Sequence, residues 1–127
     1  MKHTILTIED QPDIRRLIRM TLEFKGFQVI EAGDGAQGLA LARSEHPDLV
    51  LLDVMMAGMD GLTVASTMKA EPALAAIPVV MLSALGSPNE VSAGLNTGVQ
   101  GYLVKPFSPR ELLALVERLL TGTQTNA

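Results

Sequence analysis

Reactive side chains stand directly after four short apolar runs in this chain. The residues that follow the runs are Glu9 and Asp10, Asp53, Ser83 and Lys105. Parallel strands that are buried on both faces appear in a sequence as such apolar runs, and their carboxyl ends open into one crevice where ligands bind. We therefore expect three carboxylates, a hydroxyl and an ammonium group to share one small site.

Three carboxylates in one small site need a positive charge beside them. Two ionised carboxylates about 4 Å apart repel by about 4 kcal/mol at an effective dielectric constant of about 20, unless a cation binds or one group takes up a proton. Mg²⁺ meets this need, because it binds few carboxylates, keeps several waters and accepts a phosphoryl oxygen. Lys105 supplies another cation, since its extended backbone before Pro106 lets the side chain reach across the crevice.

The acidic pair has an alternative interpretation that involves no ligand. Acidic residues before a helix that begins with a proline, as one would at Pro12, stabilise the positive end of that helix. Asp53 does not share this explanation, because Val54–Met56 after it does not resemble a helix start. A cation site accounts for all three carboxylates, whereas capping accounts for only two.

A glycine-rich segment offers a different function, that of a dinucleotide-binding oxidoreductase. Gly33–Gly38 matches G-x-G-x-x-G, follows a predicted strand, and has Asp53 at the spacing of a ribose-binding carboxylate. A chain of 127 residues is, however, about half the length of a dinucleotide domain with its substrate domain. This interpretation also leaves Glu9, Asp10, Ser83 and Lys105 unexplained.

Composition limits the remaining classes of protein. The chain has 127 residues, 47% of them hydrophobic, which fits one globular domain. Ten basic and 14 acidic residues give a net charge of -4 without any long run of Lys or Arg, which argues against direct nucleic-acid binding. The absence of cysteine excludes disulfides and thiolate metal sites. With neither a signal peptide nor a membrane-spanning window, we expect a cytoplasmic protein that does not insert into membranes.

Strand-like runs alternate with stretches of helical period, which is the pattern of successive βαβ units. The predicted strands are Ile5–Ile8, Gln28–Ala32, Asp48–Asp53, Ile77–Leu82 and Gly101–Val104. The predicted helices run from Pro12 to near Gly26, from about Ala36 to Arg43, from Leu62 to Ala70, from Asn89 to Asn96, and from Pro109 to about Leu120. The third strand is the most apolar and should be central. A polar tail, residues 122–127, should follow a single domain of residues 1–121.

These residues also carry a resemblance to a known family. Glu9-Asp10, Leu51–Gly61, Pro78–Ala84 and Gly101–Phe107 resemble the receiver (phosphoacceptor) domain of bacterial two-component response regulators, and the likeness runs from Lys2 to about Leu120. It implies an α/β, flavodoxin-like, doubly wound sheet of five parallel strands in the order 2-1-3-4-5, with five helices. Because Ala32–Leu39 resembles the start of a receiver's second helix, the resemblance also argues against the dinucleotide interpretation.

The resemblance implies a role for each candidate residue. Asp53 would accept a phosphoryl group from a histidine kinase or a phosphotransfer protein, which requires no general base because a carboxylate is already nucleophilic. Glu9, Asp10, Asp53 and the backbone carbonyl of Met55 would hold Mg²⁺. Lys105 and Ser83 would contact the phosphoryl oxygens. Tyr102 would be an aromatic switch, and the Lys105–Pro106 peptide bond would be cis.

The resemblance does not define the output. The domain would catalyse only its own phosphorylation and slow autodephosphorylation. If the 127 residues are the whole protein, it would act by binding a protein target or a second copy through the predicted helix Asn89–Asn96, the fifth strand and the last helix. In that helix, Leu113 and Leu120 are the expected exposed contacts. Ser108–Leu113 also resembles receivers that precede DNA-binding domains, so a fragment of a longer regulator is the alternative. The third alternative is a protein scaffold that is not phosphorylated, and the complete set of site residues argues against it.

Overall fold

Five parallel strands form one sheet in the part of the chain that the structure describes. The computed structural model describes residues 3–56, 58, 60–83 and 98–121. The strands are β1 (Thr4–Ile8), β2 (Gln28–Ala32), β3 (Leu49–Asp53), β4 (Val79–Ser83) and β5 (Gly101–Val104). Their order across the sheet is β2-β1-β3-β4-β5, which confirms the predicted flavodoxin-like topology and the central position of the third strand.

Four helices lie within the described residues. They are α1 (Pro12–Phe24), α2 (Gly35–Glu45), α3 (Gly61–Ala70) and α4 (Pro109–Thr121). The predicted helix Asn89–Asn96 and the polar tail lie outside the described residues. No described helix is long and apolar enough to span a membrane.

Helices α2, α3 and α4 begin where the sequence supplies a side-chain cap. The Asp34 carboxylate accepts a hydrogen bond from the Gln37 backbone N–H, and Asp60 does the same for Thr63. Ser108 and Glu111 exchange side-chain and backbone hydrogen bonds at the start of α4, as a capping box does. These local contacts explain why the predicted helix starts agree closely with the structure.

The sheet is covered on both faces, so its central strands are almost wholly apolar. Alternate residues of β3 enter two separate cores, Leu49 and Leu51 on one side and Val50 and Leu52 on the other. Residues of α1 and α4 complete the first core, and residues of α2 and α3 complete the second. This double burial explains the apolar runs.

Strand register brings the reactive residues to one edge. Ile8 pairs with Leu52, so Glu9 and Asp10 follow β1 beside Asp53, the last residue of β3. Asp53 pairs with Leu82. Ser83 pairs with Val104, and Lys105 follows directly.

Two glycines allow the helices to pack closely around this edge. A Cβ on Gly61 would lie 2.4 Å from the carbonyl oxygen of Asp53, so the first turn of α3 can sit against the strand end only without a side chain. A Cβ on Gly38 would lie 2.4 Å from the Ile8 side chain. Gly38 therefore serves the packing of α2 on β1, and the acidic Asp34 cap at the start of α2 would repel a dinucleotide phosphate.

One expectation about the surface is not met. Leu113 and Leu120 are half-buried and pack against the core between α1, α4 and the sheet, instead of being exposed. The exposed large apolar side chains among the described residues are Leu17, Met20, Phe24, Met55 and Val104, three of them on α1. Helix α4 has more apolar residues than one core-facing stripe needs because it packs against both α1 and the sheet.

Candidate functional site

Three carboxylates meet at the carboxyl ends of β1 and β3. Glu9, Asp10 and Asp53 each offer an oxygen that lies within 4.8 Å of the others. Glu9 is 0% exposed and Asp53 2%, while Asp10 is partly exposed. The sequence prediction that these three residues share one site agrees with this geometry.

Lys105 is the cation that faces this cluster. Its Nζ lies 3.0 Å from Glu9 Oε1 and 3.4 Å from Asp53 Oδ1, and its side chain is only 12% exposed. It also donates a hydrogen bond of 3.4 Å to Gln11 Oε1. One ammonium group against three carboxylates leaves the pocket with an excess of negative charge when all three are ionised.

The pKa of Glu9 is raised by this arrangement of charges. Burial, the Asp53 hydrogen bond and the Asp53 charge together raise its pKa to about 7, although Lys105 acts in the opposite direction. Glu9 Oε2 accepts a hydrogen bond of 3.2 Å from the Gln11 backbone N–H. Glu9 Oε1 accepts no hydrogen bond of normal geometry within the described residues, despite its short distance to Lys105.

The donor set fits a hard divalent cation. All side-chain donors are carboxylate oxygens, which suit Mg²⁺ and do not suit soft metals. The raised pKa of Glu9, although Lys105 lies only 3.0 Å away, is a sign that further positive charge is needed at this point. A divalent cation would supply that charge.

A small pocket opens above Asp53. Its lining is formed by Asp10, Gln11, Asp53, Met55 and Lys105, and its volume is about 260 Å³. The Met55 backbone N–H donates to Asp53 Oδ1 at 3.2 Å, and the Met55 side chain is exposed. The pocket is therefore open to a ligand at the one carboxylate that ends a central strand. The role of the Met55 carbonyl as a metal ligand stays a prediction.

Ser83 and Tyr102 lie on β4 and β5, on the side of Asp53 that is away from β1. Ser83 is fully buried at the end of β4, and its carbonyl oxygen accepts a hydrogen bond of 2.7 Å from the Lys105 backbone N–H. Tyr102 is half-buried on β5 and packs against the core beneath α2 and α3. The Lys105–Pro106 peptide bond is cis, as expected. The switching roles of Ser83 and Tyr102 stay predictions.

Sequence reasoning missed Gln11. This residue contacts both Glu9 and Lys105, and it also borders a second, apolar groove of about 380 Å³. The groove is lined by Gln11, Ile14, Leu17, Lys105, Pro106 and Phe107, so it continues directly from the acidic pocket. The position of Gln11 directly after Glu9 and Asp10 was the sequence feature that could have identified it.

Comparison with known proteins places this geometry in a family. Residues 5–117 match the family model of the response regulator receiver domain. The chain is 42% identical over 97% of its length to the probable transcriptional regulator ycf27 of Cyanophora paradoxa. It is 43% identical over 94% of its length to the DNA-binding dual master transcriptional regulator RpaA of a Synechocystis strain.

The solved structures show the same fold. Chemotaxis protein CheY4 of Vibrio cholerae superposes with a TM-score of 0.90 at 32% identity, covering 94% of this chain and 100% of that one. The two curated regulators are longer, and the chain spans about half of their length, 50% and 49%. The sequence match over most of the chain and the shared fold lead to one conclusion: this chain belongs to the response regulator receiver domain family.

Proposed function

We propose that this protein is a phosphorylation-controlled signalling domain in which Asp53 accepts a phosphoryl group. The observation that carries the proposal is the position of Lys105, whose ammonium group lies 3.4 Å from Asp53 at the floor of a pocket of about 260 Å³. A nucleophilic carboxylate, a cation and free space meet there. Family membership supports the same assignment.

Glu9, Asp10 and Asp53 would hold Mg²⁺, together with the Met55 carbonyl. When bound, the ion neutralises negative charge around the transferring phosphoryl group. The three carboxylates supply the hard oxygen donors that this ion prefers. Lys105 alone leaves these charges incompletely balanced.

The residues of the chain perform the transfer by position and charge. A carboxylate oxygen of Asp53 attacks phosphorus, and the new O–P bond forms as the N–P bond of a donor phosphohistidine breaks. The electron pair of that bond stays on the imidazole, which then takes up a proton from water. Lys105 exchanges its contact with the carboxylates for one with the phosphoryl oxygens, and Ser83 donates a hydrogen bond to one of them. The chain thus catalyses only its own phosphorylation and slow dephosphorylation.

The phosphohistidine donor would be a histidine kinase or a phosphotransfer protein, and the exchange would take place in the cytoplasm. We assign its docking surface to the apolar groove beside the acidic pocket, because the two share Gln11 and Lys105. Leu17 in this groove is 42% exposed. A helix that carries the phosphohistidine could cover the groove while its imidazole enters the pocket.

Two outputs follow from the comparisons. The two transcriptional regulators that the chain matches, of which RpaA is described as DNA-binding, are about twice as long, which favours a receiver that controls a DNA-binding domain in the same protein. The full-length match to the chemotaxis protein favours action through a separate protein target. Gel filtration with and without the phosphoryl mimic beryllofluoride would show whether the chain pairs with a second copy, and a pull-down with the same two forms would show whether it binds a separate protein target.

The acceptor is tested with a small phosphodonor. Acetyl phosphate and Mg²⁺ should add one alkali-labile phosphoryl group, detected by intact mass, and Asp53→Asn should add none. Asp34→Asn is the matched control, since asparagine keeps the cap of α2, and it should be labelled like the wild type. Equal labelling of Asp53→Asn and the wild type would contradict the assignment.

A further inference from the structure

The main chain at Glu9 is held from two sides. Its N–H donates to the carbonyl oxygen of Ala32 at 3.0 Å, which continues the pairing with β2 beyond the last residue of β1. Its carbonyl oxygen accepts a hydrogen bond of 2.8 Å from Arg15 Nη1, six residues further along the chain in α1. The carbonyl that leads into Asp10 is thus bound by a charged side chain.

The Arg15 side chain also lies beside Glu31 of β2. Its Nε lies 3.9 Å from Glu31 Oε2, and Glu31 Oε1 accepts a hydrogen bond of 3.0 Å from Arg19 Nη1. The side chains of Arg15 and Glu31 are only 26% and 27% exposed. A glutamate on the sheet therefore lies beside the guanidinium that binds the Glu9 carbonyl.

We propose that Arg15 is a positioning residue for the acidic pocket, acting through the Glu9 carbonyl. This carbonyl belongs to the peptide group between Glu9 and Asp10, and a peptide group is planar and rigid. Fixing its oxygen fixes the plane from which both carboxylates project. The proposal rests on the proposed function in so far as those carboxylates bind Mg²⁺.

An arginine suits this role better than a lysine. The guanidinium has five N–H donors in a rigid fork, so one nitrogen can bind the Glu9 carbonyl while another remains beside Glu31. A lysine ammonium on a flexible stem can reach one partner but holds no fixed plane. Arg15→Lys should therefore retain only part of the effect.

The test uses Arg15→Ala and two matched arginine variants. Arg19→Ala removes the other cation of Glu31 without touching the Glu9 carbonyl, and Arg16→Ala removes an exposed neighbour that makes no hydrogen bond to Glu9 within the described residues. Mg²⁺ affinity is measured by calorimetry. The ¹³C chemical shift of the Glu9 carbonyl, measured without metal, reports the contact directly.

Arg15→Ala should weaken Mg²⁺ binding about tenfold, the lower range for residues that orient metal ligands through a second contact. It should also move the Glu9 carbonyl shift, and Arg15→Lys should fall between it and the wild type in both. Arg16→Ala and Arg19→Ala should change the affinity by less than about twofold, as is typical of exposed ion pairs. Urea unfolding identifies any variant that fails to fold, in which case Arg15→Lys decides alone.

Two results would overturn the inference. One is wild-type Mg²⁺ affinity in Arg15→Ala; the other is an equal loss in Arg19→Ala, which would assign the effect to the ion pairs of Glu31. If the wild type itself binds no Mg²⁺ but the Glu9 carbonyl shift still moves in Arg15→Ala, the proposed function fails and the positioning contact stands.

Discussion

The pKa of Glu9 reflects its burial and the charges of the neighbouring residues in the pocket. It is fully buried, near Lys105 and Asp53, and its pKa is raised to about 7. The folded protein therefore retains a proton on Glu9 over a range of pH in which the unfolded chain, with a pKa of about 4.5, has lost it. The same carboxyl group is the one that a metal ion would hold in its ionised form.

This linkage predicts how stability depends on pH. Because the folded state binds the extra proton, the free energy of unfolding should fall as pH rises from about 4.5 to about 7, by at most about 1.4 kcal/mol per pH unit from this group. Above pH 7 this contribution should be flat, and Mg²⁺ should restore stability by binding the folded form. Urea unfolding with a chelator, at a series of pH values, measures the slope.

Glu9→Gln is the variant that tests the assignment, and exposed Glu45→Gln is its control. Glu9→Gln should reduce the fall in stability over this range, while Glu45→Gln should keep the wild-type slope. Identical slopes for the wild type and Glu9→Gln would show that Glu9 does not titrate with a raised pKa.

Thr7 has a buried polar group that carries no charge. Its hydroxyl is 0% exposed on β1 and has no hydrogen-bond partner within the described residues. Valine has nearly the same shape and no hydroxyl, so Thr7→Val should raise the free energy of unfolding by about 1–2 kcal/mol. Urea unfolding measures the change.

Thr67→Val serves as the control, because the Thr67 hydroxyl donates to the Thr63 carbonyl in α3. That variant should not gain stability. Unchanged or lower stability in Thr7→Val would mean that the hydroxyl of Thr7 has a partner in solution, such as a buried water.

Helix α1 connects the chemistry to the surface. Its first turn follows the acidic pair, Arg15 reaches back to the Glu9 carbonyl, and Leu17, Met20 and Phe24 are exposed along it. Leu17 borders the groove that shares Gln11 and Lys105 with the pocket. Under the proposed function, one helix would thus position the metal ligands on one side and receive the phosphodonor on another.

A charged residue in the groove should separate protein donors from small ones. Leu17→Glu should slow phosphoryl transfer from a phosphohistidine protein at least about tenfold, because a carboxylate buried in a partner interface loses its hydration. Acetyl phosphate should still label Asp53 at the wild-type rate. Phosphotransfer assays that are quenched at a series of times compare the rates for the two donors.

Val104→Glu is the matched control for this variant. Val104 is 43% exposed, close to the value for Leu17, but its place in β5 puts it on the side of the sheet occupied by Tyr102. It should leave both transfer rates unchanged. An equal loss of transfer with the two donors in Leu17→Glu would indicate damage to the pocket and contradict the docking surface.

At the scale of the whole molecule, β4 and β5 lead from the pocket towards the outer face of the sheet. Ser83 and Val104 are register partners, and the Lys105 N–H binds the Ser83 carbonyl. Tyr102 lies two residues before Val104 and packs against the core beneath α2 and α3. A new hydrogen bond at Ser83 is therefore only one strand away from an aromatic side chain at the surface.

This arrangement predicts a shift between two existing states. Ser83→Ala should still be phosphorylated on Asp53, since neither the nucleophile nor the metal ligands change, but should lose most of the phosphorylation-dependent change at Tyr102. NMR of the beryllofluoride-bound form measures that change, and the exposed Ser44→Ala should behave like the wild type. A full wild-type shift at Tyr102 in Ser83→Ala would mean that the signal leaves through Lys105 instead.

Local patterns determined much of this protein. The starts of α2, α3 and α4 follow from Asp34, Asp60 and the Ser108–Glu111 capping box, since a cap is made by residues within one turn. Apolar runs defined the strands, because burial on both faces leaves no alternation to obscure them. The order of the strands came from the family resemblance, since the runs alone do not specify neighbours.

Some contacts between distant groups were decided by the tertiary structure alone. The contact of Arg15 with the Glu9 carbonyl depends on where α1 crosses the sheet, and the raised pKa of Glu9 depends on burial by several elements. Leu113 is half-buried because α4 packs beside α1, which the leucine-rich pattern of α4 could not reveal. Burial and long-range hydrogen bonds are properties of assembled elements, and a sequence pattern reports only the side chains that each element brings.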